Sequence, residues 1–239
     1  MIHESNNFLL TSIFSSASNS GNVDDDFVGT ITFDGNQFTY KNSIKLCLER
    51  KAKIAKNNSQ QRIAINYNNK QISLTNERIA LILESPSNSE FLSSRPCPAW
   101  GKTGDRINGQ LISLMNKYLK VCFPTLPMAN SNFDIIIMNA IRYQCDLGNQ
   151  GNRTIINSVF DQLWNYNTTP FSNDLVERIK FVSPSLIINA CTSSSTGVKL
   201  CTTTFLKNKL SNVRIVEATK HPCAWGKKTI LFGSVTTNG

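Results

Sequence analysis

The spacing of apolar residues changes character near residue 78. Before it, Val28, Ile31, Phe33, Phe38 and Tyr40 flank Asp34-Gly35-Asn36. Apolar residues on both sides of an Asp-Gly pair predict a β-hairpin over Phe27–Tyr40. Arg62–Thr75 alternates Ile63, Ile65 and Tyr67, then Ile72 and Leu74, across Asn68-Asn69, which predicts a second hairpin. Between them Ile44, Leu46, Leu48 and Ala52 lie in a Lys- and Arg-rich segment compatible with a short helix. After residue 78 the texture is different. Ile79-Ala80-Leu81-Ile82-Leu83 is a continuous apolar run of the kind buried on both faces in a parallel sheet. Phe133–Ala140, Leu186–Ala190 and the more alternating Val213–Ala218 predict three further strands. Arg106–Leu119, Arg153–Tyr166, Asn173–Phe181 and Thr196–Leu210 are long enough to be the helices between them. Strands alternating with helices imply an open α/β sheet with ligands at the strands' carboxyl ends. Residues 1–78 then form an N-terminal β-rich extension and 79–239 the main α/β domain.

Composition narrows the class. The 239 residues are 40% hydrophobic and 17% charged, with 12 Gly and 8 Pro, which excludes collagen-like, low-complexity and mainly disordered chains. No run of about 18 apolar residues occurs, and Met1–Phe8 lacks a basic head before its apolar stretch. The expectation is a soluble, intracellular protein without a membrane partner, cytoplasmic or, in a bacterium, nucleoid-associated. Seven Cys without dense spacing read as reduced, mostly packed thiols. The net charge of +9 favours polyanion partners. Residues 79–239 hold 16 of the 25 basic and nine of the 16 acidic residues, so most of the excess lies in the main domain. Asp24-Asp25-Asp26 reads as a solvated charge run, and no metal or other cofactor is expected.

The strand exits carry the chemistry. The first runs into Glu84-Ser85-Pro86-Ser87-Asn88-Ser89-Glu90-Phe91, the second into Asn139-Ala140-Ile141-Arg142-Tyr143, and the fourth into His221-Pro222-Cys223-Ala224-Trp225-Gly226-Lys227-Lys228. Ser87 with Glu90 has the pattern of a capping box. Gly101-Lys102-Thr103 lacks the Gly that a phosphate loop needs five positions earlier, where Pro96 stands. Ala99-Trp100-Gly101-Lys102 is echoed by Ala224-Trp225-Gly226-Lys227, so two loops either present the same residues to one cleft or coincide by chance.

Taken together, Leu83-Glu84-Ser85-Pro86-Ser87, Pro98-Ala99-Trp100-Gly101-Lys102-Thr103-Gly104, a strand ending in Asn139, and His221-Pro222-Cys223 resemble the uracil-DNA glycosylase superfamily. The first motif is similar to the Gly-Glu-Ala-Pro-Gly segment of its iron-sulphur type, the second to Pro-Phe-Val-Gly-x-x-Gly and the last to the His-Pro-Ser loop. The resemblance spans about residues 79–230. It implies a three-layer α/β/α sandwich with a short, mainly parallel central sheet, and a DNA-repair hydrolase that cleaves the N-glycosidic bond of a flipped uracil or other deaminated base, with single- or double-stranded DNA as partner. Under it Glu84 and His221 are catalytic, and Asn139, with Ser85, lies against the base. Trp225 stands near the place of the wedge that fills the vacated base stack, and Lys102, Lys227 and Lys228 face phosphates.

The departures are specific. Leu83 and Ser87 replace two glycines. Ala99 stands where the family has a stacking Phe, so that either Trp100 or Tyr143 takes that role or no base is stacked. The iron-sulphur ligand spacing is absent, and no cluster is expected. These departures motivate an alternative, a non-catalytic module on the same fold that binds nucleic acid, a nucleobase or a nucleotide.

Overall fold

The computed structural model describes residues 22–48, 62–68, 74–91, 95–145, 153–165, 170–192, 198–211, 213–226 and 229–235. Their strands are β1 (Asp26–Phe33), β2 (Phe38–Tyr40), β3 (Ile63–Ala64), β4 (Glu77–Leu83), β5 (Ser131–Asn139), β6 (Leu186–Asn189), β7 (Arg214–Ala218) and β8 (Phe232–Val235). The helices are α1 (Lys102–Lys117), α2 (Leu119–Cys122), α3 (Arg153–Trp164), α4 (Phe171–Val182) and α5 (Val198–Lys209).

All eight strands belong to one curled mixed sheet, ordered β2-β1-β5-β4-β6-β7-β8, with β3 also on β1. The four strands predicted after residue 78 make its centre and run parallel, β5-β4-β6-β7. Their continuous apolar runs are explained by burial on both faces. Ile79, Leu81, Leu83, Ile135, Ile137 and Ile188 join one core cluster with Ile107, Leu111 and Met115 of α1. The intervening Ala80, Ile82, Ile136, Met138 and Ile187 join another with residues of α3, α4 and α5.

The described strands before residue 78 extend the sheet of the main domain. β1 pairs antiparallel with β5 from Asp26–Ile137 to Phe33–Ser131, with a bulge between Phe27 and Gly29. The described part of the N-terminal segment therefore lies within the same sheet as the main domain. The first predicted hairpin is present as β1 and β2, closed by the Asp34 N–H donating to the Gln37 carbonyl. The start of the second, Ile63–Ala64, is present as β3, which pairs with β1, and residues 69–73 of the expected turn and return strand lie outside the described residues. Residues 44–48 form no helix, because the Cys47 N–H is taken by the Val28 carbonyl, and Leu46 and Leu48 fill the core from a turn; Ala52 lies outside the described residues.

The acidic run is a further correction. Asp25 and Asp26 are fully buried, and only Asp24 reaches solvent. Asp25 accepts two bonds from Arg178 Nη1, at 2.6 and 2.9 Å, and one from the Tyr67 hydroxyl at 2.5 Å. Asp26 accepts from Arg95 at 2.9 and 3.1 Å and from Arg62. Two carboxylates can leave water here because guanidinium groups replace it. All seven cysteines are free thiols. Among the described residues no helix is long and apolar enough to cross a membrane.

Candidate functional site

The parallel strands β5, β4, β6 and β7 end on one edge of the sheet, so the groups that follow them share that edge. Asn139 is the last residue of β5 and pairs in register with Leu83, the last of β4. The Ala140 N–H donates to the Leu83 carbonyl at 2.7 Å and the Ile141 N–H to the Glu84 carbonyl at 3.1 Å. Glu84 thus stands beside the Asn139–Ala140 backbone, and its side chain is almost wholly buried. Cys191 follows β6. Burial first, and then the nearby Glu84 carboxylate, push its thiol up, so it is an inert thiol rather than a nucleophile.

His221 follows β7 and is half-buried, and it caps the short 3-10 turn Pro222–Ala224. Its Nδ1 accepts from the Cys223 N–H at 3.3 Å. A neutral imidazole whose Nδ1 accepts carries its proton on Nε2 and offers that N–H as a donor. The turn before it is held from below by Lys199, whose buried ammonium donates to the Ala218 carbonyl.

Asn139 has no exposed surface. Its Nδ2 donates to Glu90 Oε2 at 3.3 Å, while its Oδ1 is buried with no hydrogen-bond partner. Glu90, 3% exposed, also accepts at Oε1 from the Ala99 N–H at 3.0 Å. Burial pushes its carboxyl up to about 8, against the Ala99 and Asn139 bonds and the Arg62 charge, with Asp26 adding to the rise. The capping box expected of Ser87 and Glu90 is not made. Ser87 Oγ shares a bond with Ser89 Oγ, and the Glu90 carboxyl bridges the Ala99 turn and the end of β5 instead.

Ala99 takes a left-handed conformation, φ +57°, and Gly101 follows at φ +86°. This turn leads directly into α1, and Gly104 lets it pack closely. A Cβ there would lie 2.4 Å from the Ala99 carbonyl oxygen and 2.5 Å from that of Leu48. Trp100 is half-buried, and its carbonyl accepts from Ser89 Oγ at 3.2 Å. Ser85 is half-buried beside Glu84, and Lys102 is exposed at the start of α1. The half-buried Tyr143 ring meets Phe171 edge-on, with centroids 5.5 Å apart.

Trp225 corrects an expectation. Its indole has no exposed surface, sits in the core with Phe232, and donates its N–H to the Lys220 carbonyl at 2.9 Å. A ring so held is not available to fill a base stack, so the wedge role does not attach to it. The echo of the two Trp-Gly loops is therefore not functional at Trp225, although Gly226 does lie against Arg106 of α1. Lys227 and Lys228 lie outside the described residues.

Two participants escaped the sequence reading. Glu90 was visible in the first motif but had a local explanation as a cap. Arg178 is buried on α4, with Leu175 three residues before it and Val182 four after. A cation on an apolar helix face was the available signal. Burial opposes its charge, but Asp25 and Asp174 push its pKa up, and its Nη2 donates to the Asn139 and Ala140 carbonyls at 2.9 and 3.3 Å. Arg178 thereby ties the N-terminal segment to the end of β5. A cavity of about 680 Å³ is lined by Tyr67, Arg142, Asp174, Glu177 and Arg178 among others, but by none of Glu84, Asn139 and His221. Among the described residues no three His, Cys, Asp or Glu side chains are placed to hold a metal ion.

Set against protein-family models, curated proteins and solved structures, the chain gives no match in any of the three.

Proposed function

We propose that the protein is an N-glycosidic hydrolase of the uracil-DNA glycosylase type, acting in DNA repair on a deaminated base flipped from single- or double-stranded DNA. One observation carries this reading. Asn139 Oδ1 is a buried acceptor without a donor, and such a group is costly unless something supplies one. The ring N–H of a lactam or imide base is a donor of the right kind. The companion expectation, a three-layer α/β/α sandwich, is supported by the two core clusters that the central strands share with different helices.

The chemistry assigns each group a task. As the C1′–N bond breaks, its electron pair leaves with the base and positive charge grows on the sugar. Glu84 offsets that charge and takes the proton of the water that adds to C1′. His221 donates its Nε2 proton in a hydrogen bond to a base carbonyl oxygen as negative charge develops there. Lys102, exposed at the head of α1, is assigned a phosphate contact.

The test is base release from oligonucleotides carrying uracil, hypoxanthine, xanthine or ordinary bases, with parent protein and Glu84→Gln. Release by the parent that falls at least about 100-fold in the variant, with DNA binding retained, is the expected result. Release that the variant leaves unchanged overturns the role of Glu84. A second reading is a non-catalytic module binding nucleic acid, a nucleobase or a nucleotide. It is favoured by the burial of Glu84 and Asn139 and by a methyl group at Ala99. No release from any substrate, with salt-sensitive DNA binding intact, selects it.

A further inference from the structure

Glu90 is a buried acid at this site to which no described cation is hydrogen-bonded. Its two oxygens meet neutral donors only, the Ala99 N–H and the Asn139 amide. The charged groups that face it are Arg62 and Asp26. Arg62 is bonded through Nε to Asp26 and through Nη2 to the Pro98 carbonyl, its Nη1 is buried without a hydrogen-bond partner, and Asp26 is further held by Arg95. The Cys97 N–H donates to the Glu90 backbone carbonyl and leaves the carboxyl free for the two side-chain bonds. The carboxyl therefore has one partner with a choice of edges. An amide turns over about its last side-chain bond and exchanges a donor edge for an acceptor edge.

We infer that Glu90 is the positioning residue that decides which edge of the Asn139 amide is left for a ligand, and thereby which ring edge the site accepts. The inference rests on the base-reading role proposed for Asn139. An ionised Glu90 accepts from Nδ2 and leaves Oδ1 as the acceptor, as the structure has it, so the site takes a ring presenting N–H, a lactam or imide. A protonated Glu90 carries an O–H that must itself find an acceptor. Oδ1 of the turned amide supplies it, and Nδ2 then faces the ligand as a donor suited to an unprotonated ring nitrogen, as in cytosine. No bond other than a hydrogen bond changes, and the proton comes from solvent. The upward push that burial gives the carboxyl, to about 8, puts both states within an accessible pH range, the protonated one prevailing below that value and the ionised one, which accepts a lactam or imide, above it.

The experiment has two readouts. The first follows the Asn139 side-chain amide by ¹⁵N NMR from pH 6.5 to 8.8 without ligand, assigning it by its loss in Asn139→Ala. It is expected to titrate in the parent and to be flat in Glu90→Gln, whose fold is checked in the same spectra. An amide that is flat in the parent, or that titrates equally in Glu90→Gln, overturns the inference. The second readout compares binding of two single-stranded oligonucleotides identical except for one uracil or one cytosine. The parent's preference for uracil is expected to grow about tenfold or more across that range, and Glu90→Gln to show a constant ratio. A parent ratio that stays constant overturns the inference. If Asn139→Ala binds the uracil oligonucleotide as the parent does, the base-reading role itself fails, and the amide titration still judges Glu90 on its own.

Discussion

Asp25 and Glu90 are both carboxylates taken out of water, and the protein treats them differently. Asp25 receives a guanidinium through two bonds and a phenol through a third, and the same guanidinium goes on to Asp174 and to two backbone carbonyls at the end of β5. Glu90 receives one backbone N–H and one amide, and beyond that amide lies an acceptor with no donor. The first arrangement is closed in its hydrogen bonds, although burial still pushes the Asp25 carboxyl up against the Arg178 charge, and its physical effect is to fix the N-terminal segment against the sheet. The second is open, since part of its hydrogen-bonding capacity is unmet. Both acids are buried, and they differ in the completeness of their partners.

The strongest way to break this comparison is to remove the partner of Asp25. Arg178→Met leaves a buried carboxylate uncompensated and frees the Asn139 and Ala140 carbonyls, and a loss of roughly 4 kcal/mol in urea denaturation is expected. A loss under 1 kcal/mol would show that Asp25 does not depend on Arg178. Glu90 provides the next effect. Its folded carboxyl is raised from the ordinary 4.5 to about 8, so between those values the unfolded chain has given up a proton that the folded protein keeps. Its contribution to stability therefore falls as pH rises through that window and reaches its full penalty above about 8. Thermal melts at pH 5 and pH 8.5 should differ by roughly 3 kcal/mol more in the parent than in Glu90→Gln. Equal pH dependence in the two proteins would place Glu90 with the compensated acids.

Smaller changes sharpen the picture. Trp225→Phe removes the indole N–H from the Lys220 carbonyl and opens a small void, and is expected to cost about 1–2 kcal/mol of stability while leaving the proposed DNA binding of the folded protein unchanged. A selective loss of DNA binding would instead restore a surface role for that ring. Smallest of all is the exposed Lys180–Glu177 pair, 2.9 Å apart and well solvated. Glu177→Ala should shift stability by less than about 0.5 kcal/mol in the same denaturation assay.

Much of the fold was legible before the structure, for a local reason. Ile79–Leu83, Phe133–Ala140 and Leu186–Ala190 are uninterrupted apolar runs, and such a run suits a strand covered on both faces. The corresponding strands are Glu77–Leu83, Ser131–Asn139 and Leu186–Asn189. The four predicted helices also stand close to their expected bounds. The candidate site was legible only in part. The positions of Glu84, Asn139 and His221 at strand ends follow from chain order, but the state of each side chain does not. Glu90 had a local explanation that a contact nine residues away, at Ala99, displaced.

By itself, then, the sequence determined the alternation of strand and helix and the edge of the sheet on which polar groups collect, because apolar period and chain order are local properties. The tertiary structure alone decided three matters. β1 lies against β5, Asp25 finds Arg178 across 153 positions of chain, and Trp225 turns inward. The physical reason is clearest for Asp25. Desolvating an aspartate or an indole N–H is favourable only where a partner waits at bonding distance, and for Asp25 that partner is brought near by the packing of distant segments rather than by anything encoded beside it.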